Sequence, residues 1–112
     1  MYEKYVKLTD NATATHLRIR LYYNIGGVNY FTYKTEARGY YLSVSPVSRT
    51  RTDYGLTMES YTAFTGAKEC VKTVSRKSAK AEAEAETLAA ARESVLIDFV
   101  CRANGLEVLA GE

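Results

Sequence analysis

A strict two-residue alternation over residues 17–22 is the feature that most constrains this chain. Aliphatic residues occupy every second position, and arginine or tyrosine lies between them: Leu17, Ile19 and Leu21 against Arg18, Arg20 and Tyr22. Successive side chains of a strand point to opposite faces, so the pattern predicts a strand with one buried and one solvent-facing side. Sheets with one wet face are usually antiparallel, and the pattern therefore favours an antiparallel sheet.

Shorter runs of the same kind predict four more strands. With the strand just described, at about 13–23, the predicted strands are 2–8, 28–34, 40–47 and 54–64. Glycine, asparagine and aspartate mark turns between them, at Asp10-Asn11, Asn24-Ile25-Gly26-Gly27 and Glu36-Ala37-Arg38-Gly39. Aromatic residues lie on both faces of 28–34, so the buried face of that strand stays open. Whether 2–8 joins the sheet also stays open.

Two further predictions concern the end of the fourth predicted strand and the segment that follows it. Pro46 lacks an N–H, so we expect it at a sheet edge or a bulge. Residues 48–53 are polar and include two arginines, which is typical of a mobile loop.

Helical spacing replaces the alternation after residue 64. Cys70, Val71 and Val74 predict a first helix with Thr65 as its N-cap. A longer helix is predicted over 79–103, with Ser78 as N-cap and Asn104-Gly105 as its end. One continuous helix from Ala67 is the alternative, and it would place Lys68, Lys72 and Arg76 at repelling spacing.

These elements predict a single α+β domain over residues 1–112, in which 1–64 is strand-rich, 65–104 helical and 105–112 a tail. We expect an antiparallel sheet of four to five strands, followed by one or two C-terminal helices packed on one sheet face. The predicted sheet side of the core is Leu17, Ile19, Leu21, Leu42, Val44, Leu56 and Met58. The predicted helix side is Leu88, Val95, Leu96, Phe99, Val100 and Ala103.

Composition argues against enzymatic chemistry. The chain holds one histidine and two cysteines, at no spacing that suits zinc. His16 is the only histidine that could activate a nucleophile, and its neighbours form no triad. Gly26-Gly27 is too short for a phosphate-binding loop. We therefore expect no catalytic residues, no metal, no cofactor and no small-molecule substrate.

The hydropathy pattern predicts a cytoplasmic location. No run approaches the 18 or so apolar residues of a membrane span. The opening Met-Tyr-Glu-Lys lacks the apolar segment of a secretion signal.

The wet face of the predicted sheet carries the functional hypothesis. Tyrosine interleaved with arginine suits single-stranded DNA or RNA, because bases stack on rings while cations contact phosphate. We expect Arg18, Arg20 and Arg38 to contact phosphate and Tyr22 and Tyr41 to stack on bases. The alternative is a protein-interaction module or homodimer, since tyrosine and arginine are also enriched at protein interfaces. A purely structural role on a half-wet sheet is the third possibility.

The segment Arg38-Gly39-Tyr40-Tyr41-Leu42-Ser43-Val44 resembles the Arg-Gly-x-aromatic-Leu pattern of the PUR repeat. That family has four antiparallel strands followed by a helix, forms dimers and binds single-stranded DNA and RNA. The resemblance implies Arg38 and Tyr41 as contacts, whereas Tyr40 and Ser43 replace residues that are usually basic in the family. The wider stretch 29–47 is also similar to small uncharacterised proteins of bacterial mobile elements.

Overall fold

The structure, a computed structural model, describes residues 1–9 and 13–109, so the predicted turn at Asp10-Asn11 lies outside the described residues. Within these described residues, seven strands precede one helix: β1 (Tyr2–Lys7), β2 (His16–Asn24), β3 (Gly27–Asn29), β4 (Lys34–Glu36), β5 (Gly39–Arg51), β6 (Thr57–Tyr61), β7 (Ala67–Thr73) and α1 (Ala79–Asn104). The predicted α+β architecture is confirmed, with an antiparallel five-stranded sheet, a small two-stranded sheet and one C-terminal helix.

Strand β5 is the centre of the large sheet. Its 39–47 portion pairs antiparallel with β2, which in turn pairs with β1. Along its other edge, β5 pairs with β7 through residues 39–44 and with β6 through residues 47–51. The predicted first strand therefore joins the sheet, and the predicted loop at 48–53 is wrong because residues 48–51 extend β5.

Pro46 lies inside this central strand, which corrects its predicted place at an edge. The β7 ladder ends at Val44 and the β6 ladder begins at Val47, so Pro46 occupies the gap between the two partners. A residue without an N–H interrupts a ladder least where that edge of the strand has no partner.

Helix α1 begins and ends at the residues that the sequence predicts. Ser78 has extended backbone angles, and its side chain accepts a hydrogen bond from the Ala81 N–H at 3.1 Å. Gly105 adopts the left-handed conformation that commonly ends a helix, and the following Leu106 is buried. One helix is observed, but it begins at Ala79, so neither the predicted pair of helices nor the continuous helix from Ala67 is present.

The core lies between α1 and one face of the large sheet. The predicted strand residues Leu17, Ile19, Leu21, Leu42 and Val44 are all buried. The buried residues of α1 are Ala81, Ala85, Ala89, Leu96 and Val100. Alanine has no bulk beyond Cβ, so an alanine stripe lets the N-terminal half of the helix approach the sheet closely.

Several predicted core residues are instead exposed, which corrects the expected stripe. Leu56 and Met58 lie at β6, an edge strand whose five residues are all exposed. On α1, the exposed members of the predicted stripe are Leu88, Val95, Phe99 and Ala103. The predicted stripe omits the three buried alanines of the helix, Ala81, Ala85 and Ala89, because it is built mainly from large apolar side chains.

Two predicted elements are wrong in kind. The expected first helix around Cys70 is strand β7, so the predicted helical region begins at residue 79 rather than 65. The expected strand over 28–34 is a hairpin made of β3 and β4, and residues 30–33 form its turn. Among residues 1–9 and 13–109, no helix combines the length and apolarity that crossing a membrane requires.

Candidate functional site

The sheet face opposite α1, called here the outer face, presents the alternate residues of each strand. Its members include Tyr5, Arg18, Arg20, Tyr22, Tyr41, Ser43, Ser45, Arg49, Glu59, Tyr61 and Lys68. The structure therefore places four of the five predicted nucleic-acid contacts on one face: Arg18, Arg20, Tyr22 and Tyr41.

Glu59 of β6 holds one end of the outer face in a hydrogen-bonded cluster. One carboxylate oxygen accepts from the Tyr5 hydroxyl at 2.6 Å, and the other accepts from Arg18 Nη1 at 2.7 Å. Arg18 also donates to the Tyr61 hydroxyl at 2.9 Å. The hydrogen bond from Tyr5 lowers the pKa of Glu59, and the same bond raises the pKa of Tyr5 to about 12.

Arg49 completes this cluster from β5. Its guanidinium carbon lies 3.7 Å from the centre of the Tyr5 ring, a cation–π contact, and its Nε lies 3.8 Å from Glu59. The Nε atoms of Arg18 and Arg49 are buried without a hydrogen-bond acceptor among the described residues. The side chain of Arg18 is only 14% exposed, so its charge faces Glu59 rather than solvent.

A second group on the outer face alternates cations with rings. Arg20 lies 5.3 Å from the Tyr22 ring, Tyr22 stacks on Tyr41 at 5.9 Å, and Lys68 lies 5.5 Å from the Tyr41 ring. The Tyr41 hydroxyl donates to the Ala37 carbonyl at 2.6 Å, and the residue is only 6% exposed. Tyr41 therefore has no free ring face on which a base could stack.

Carboxylates also accompany the cations of this second group. Arg20 Nε lies 3.4 Å from Glu3, and Lys68 Nζ lies 2.5 Å from Glu36. The hydrogen bond from Lys68 lowers the pKa of Glu36. The outer face is thus rich in cations but largely neutralised by its own acids.

Arg38, the fifth predicted contact, lies apart from the outer face. Its Nε donates to the Ile25 carbonyl at 3.0 Å, and its Nη1 donates to the Ser75 carbonyl at 2.9 Å. The guanidinium therefore joins the start of the β3–β4 hairpin to the end of β7. This structural use of Arg38 is the main difference from the predicted site.

The β3–β4 hairpin carries three strongly exposed rings at its turn, called here the hairpin tip (residues 30–33). Tyr30, Phe31 and Tyr33 are 82%, 97% and 83% exposed. The sequence offers one signal for such a tip. It is a short run that carries aromatic residues on both faces and is followed by no aliphatic residue against which they could pack.

Asn29 gives the hairpin tip a defined backbone. Its side-chain oxygen accepts from the N–H groups of Phe31 at 2.9 Å and Thr32 at 3.3 Å, while its carbonyl accepts from the Tyr33 N–H at 2.7 Å. Tyr33 adopts a left-handed φ of 57°, which costs roughly 1–2 kcal/mol for a residue with a Cβ. Such strain is concentrated at functional sites.

The hairpin is also fixed at its base. Gly26 has a φ of 81°, and a Cβ there would lie 2.8 Å from the backbone nitrogen of Arg38. Asn24 donates to Glu36 at 3.0 Å, and Glu36 binds Lys68 on the large sheet. The exposed rings therefore stand on an anchored support.

A pocket of about 620 Å³, called here the helix-end pocket, opens beside the C-terminal part of α1. Its lining residues are Ser94, Ile97, Asp98, Cys101, Arg102, Gly105, Leu106, Glu107 and Val108. Burial raises the pKa of the Cys101 thiol, with a smaller contribution from Asp98. A thiol of this kind is a poor nucleophile, and the pocket offers mainly apolar contact.

Over the part of the chain that the structure describes, no three histidine, cysteine or acidic side chains form a group able to hold a metal ion. The sequence matches no family model, no curated protein and no solved structure. The PUR resemblance therefore stays a prediction.

Proposed function

We propose that this chain is a protein-interaction module and that the hairpin tip is its principal contact surface. The observation that carries the proposal is the exposure of three rings, Tyr30, Phe31 and Tyr33, on a turn with a fixed backbone. Aromatic anchors that enter a partner's pocket supply most of the binding energy at many protein interfaces.

The size of the tip supports this proposal. Aromatic side chains bury about 150–250 Å² each, so three rings offer roughly 450–750 Å² of contact area. The largest apolar patch of a typical monomer is about 300–600 Å² and is often functional.

The order of the hairpin turn supports it as well. Because Asn29 already fixes the backbone of the tip, binding loses little conformational entropy there. The left-handed Tyr33 is strain that the fold maintains in order to keep this turn.

Site-specific photo-crosslinking tests the proposal. A photoreactive phenylalanine analogue at position 31 should give a discrete cross-linked protein in cells, and the same analogue at Tyr54, which is 93% exposed on another turn, should not. The purified partner should then bind Phe31→Ser at least 10-fold more weakly than the parent chain and bind Tyr54→Ser with unchanged affinity. Equal affinities for the two variants would contradict the proposal.

Single-stranded nucleic acid is the second candidate, and the observation that favours it is the position of Arg20 over Tyr22. The side chain of Arg20 is 42% exposed and lies 5.3 Å from the Tyr22 ring, an arrangement in which phosphate and base could be contacted together. Nucleic-acid binding ranks below protein interaction because Arg18 and Tyr41, two of the expected contacts, are largely buried.

A salt titration with labelled single-stranded DNA and RNA tests this second candidate. Binding should weaken as salt rises and should fall at least 10-fold in Arg20→Ala, with Arg102→Ala on α1 as a matched control. Binding that is equal in the two variants would remove the outer face as the contact surface.

A further inference from the structure

We propose that the outer edge of β6 binds an extended segment of a partner protein, which adds one strand to the large sheet. The segment carries acidic side chains towards the outer face and apolar side chains towards the other face. This edge lies apart from the hairpin tip, so it is a second interaction surface beyond the proposed function.

The backbone of β6 has a described partner on one side only. The Thr52 N–H donates to the Leu56 carbonyl at 2.7 Å, which fixes the phase of the β5–β6 ladder. Hydrogen-bonded pairs alternate with non-hydrogen-bonded pairs along an antiparallel ladder. The N–H and C=O groups that point away from β5 are therefore those of Thr57, Glu59 and Tyr61. No described strand lies beside them.

The other two edges of the large sheet carry features that discourage pairing. β1 holds Lys4 and Lys7, and the Lys7 carbonyl accepts from the Leu109 N–H at 2.9 Å. β7 holds Lys68 and Lys72, and its ladder with β5 contains a shift in register. Lysines, bulges and covering segments are the usual protection of edge strands. β6 has no lysine, no proline and no register shift, and all five of its residues are exposed.

An open edge of this kind selects an extended chain as its occupant. Main-chain hydrogen bonds to the edge strand supply affinity, and side chains at alternate positions supply specificity. Each outward-facing residue exchanges two hydrogen bonds with the residue opposite in an antiparallel pair, so a five-residue segment gains about six. A compact ligand cannot satisfy such a row.

The charges beside this edge favour acidic residues on the outer face. Arg51 pairs with Thr57, and its Nη2 extends to the turn, 3.7 Å from the place of a Cβ on Gly55. Within the described residues, Arg51 forms no ion pair. Three cations outnumber two acids at this end of the sheet: Arg18, Arg49 and Arg51 against Asp53 and Glu59. An acid opposite Thr57 would therefore lie beside an unpaired guanidinium.

The other residues of β6 define the rest of the segment. The Tyr61 hydroxyl accepts from Arg18 and still has a hydrogen to donate, so an acid also suits the position opposite. A second carboxylate opposite Glu59 would be repelled, and threonine suits that position. Met58 is exposed on the other face and can pack against an apolar residue. The expected pattern is acid, apolar, threonine, apolar, acid.

Titration of a labelled, capped peptide, Glu-Val-Thr-Val-Glu between two glycines, tests the proposal. N-methylation of the central threonine removes the N–H that would donate to the Glu59 carbonyl, and it should weaken binding about 10-fold. N-methylation of the first valine, whose N–H points away from β6, should leave the affinity unchanged. Equal affinities for the two methylated peptides, or no saturable binding up to millimolar peptide, would overturn the proposal.

A charge reversal tests the chemistry of the partner. Arg51→Glu should bind the glutamate peptide several-fold more weakly and should bind Lys-Val-Thr-Val-Lys several-fold more tightly. The matched control is Arg76→Glu, an exposed arginine before α1, which should change neither affinity. Circular dichroism confirms that both variants are folded. A preference that Arg51→Glu does not reverse would overturn the assignment of an acidic segment.

Amide hydrogen exchange locates the bound peptide. The amides of Thr57, Glu59 and Tyr61 should gain protection, and those of the β1 edge should not. Protection at β1 in place of β6 would overturn the proposed edge. Protection of β6 in the free chain that rises with protein concentration would assign the edge to a second copy and overturn a partner peptide.

The tip variant separates this inference from the proposed function. The tip follows Asn24 at one end of β2, whereas β6 pairs with β5 beyond the other end, where His16 pairs with Val47. Phe31→Ser should therefore bind the peptide with unchanged affinity. Loss of peptide binding in that variant would overturn a separate surface. Peptide binding without any cross-link from position 31 would support the edge and contradict the tip.

Discussion

The outer face and the hairpin tip are both rich in tyrosine, but they differ in what their side chains contact. On the outer face, Glu59 binds Tyr5 and Arg18, and Tyr41 donates to a backbone carbonyl. At the tip, Phe31 is 97% exposed, and the turn is held by backbone contacts that leave the rings uncovered. The outer face pairs its arginines with acids of the same chain, whereas the tip presents apolar area that its own chain does not cover.

This difference teaches that residue type alone does not identify a binding surface. Arginine and tyrosine interleaved on a strand suit nucleic acid in principle, but acids from neighbouring strands can neutralise the same arginines. Rings on a turn with a fixed backbone lack such neighbours. If the side chains of the outer face are engaged within the chain and the rings of the tip are not, substitutions in the two regions should differ in their effects on stability and binding.

The largest effect on stability is expected from Gly39→Ala, at the first residue of β5, which follows the β3–β4 hairpin and pairs with both β2 and β7. A Cβ on Gly39 would lie 2.2 Å from the Lys72 carbonyl oxygen, so β5 and β7 would have to separate. We expect the free energy of unfolding to fall by about 2–3 kcal/mol, as for other overpacked sites. Urea unfolding followed by circular dichroism measures this. An unchanged midpoint would mean that the two strands are less tightly paired than described.

Glu59→Gln should destabilise the chain less than Gly39→Ala does, and it should release arginines of the outer face from their carboxylate partner. It removes the carboxylate from Arg18 and Arg49, which we expect to cost about 1–2 kcal/mol. The substitution also frees two guanidinium groups, so binding of single-stranded DNA at low salt should increase several-fold. Thermal unfolding and fluorescence anisotropy measure the two effects. Glu107→Gln, away from the outer face, is the charge-matched control and should change neither.

Alkaline titration should identify the closed cluster directly. The pKa of Tyr5 is raised from 10.0 to about 12, mainly by its hydrogen bond to Glu59. A raised folded pKa means that its stabilisation is complete below pH 10 and is lost as the pH rises from 10 towards 12. Tyrosinate absorbance should show a component that titrates near pH 12 and disappears in Tyr5→Phe. Tyr54→Phe should leave that component in place.

Phe31→Ser should have the smallest effect on stability. Because the ring is 97% exposed, its loss should change the free energy of unfolding by no more than about 0.5 kcal/mol. Urea unfolding followed by circular dichroism measures this. A larger loss would show that the tip packs within its own chain, which would remove the contrast between the two regions.

The predictable part of the fold is the part in which local and tertiary preferences agree. β2 was predicted because burial of one face imposes a period of two, and Ile19 and Arg18 follow it. α1 was predicted because Ser78 and Gly105 have the chemistry of helix ends. Both signals lie within a few residues of the element that they define.

The rest depended on contacts between distant segments. β7 was mistaken for a helix because Cys70, Val71 and Val74 fit a helical spacing, whereas pairing with β5 decides its conformation. The candidate site was only partly predictable, because some of its contacts also join distant segments. Alternation placed Arg18 and Tyr22 on a shared face, but a sequence of strands does not reveal that Glu59, 41 residues away, binds Arg18.

The position of α1 after the seven described strands has a consequence for how the protein is synthesised. In the described chain this helix covers the apolar side of the sheet, and its 26 residues take roughly 1–5 s to synthesise at about 5–20 residues per second. During that interval the nascent strands have no helix against which to bury Leu17 and Val44. Newborn molecules should therefore depend on chaperones for this short period and should aggregate when translation stalls before residue 79.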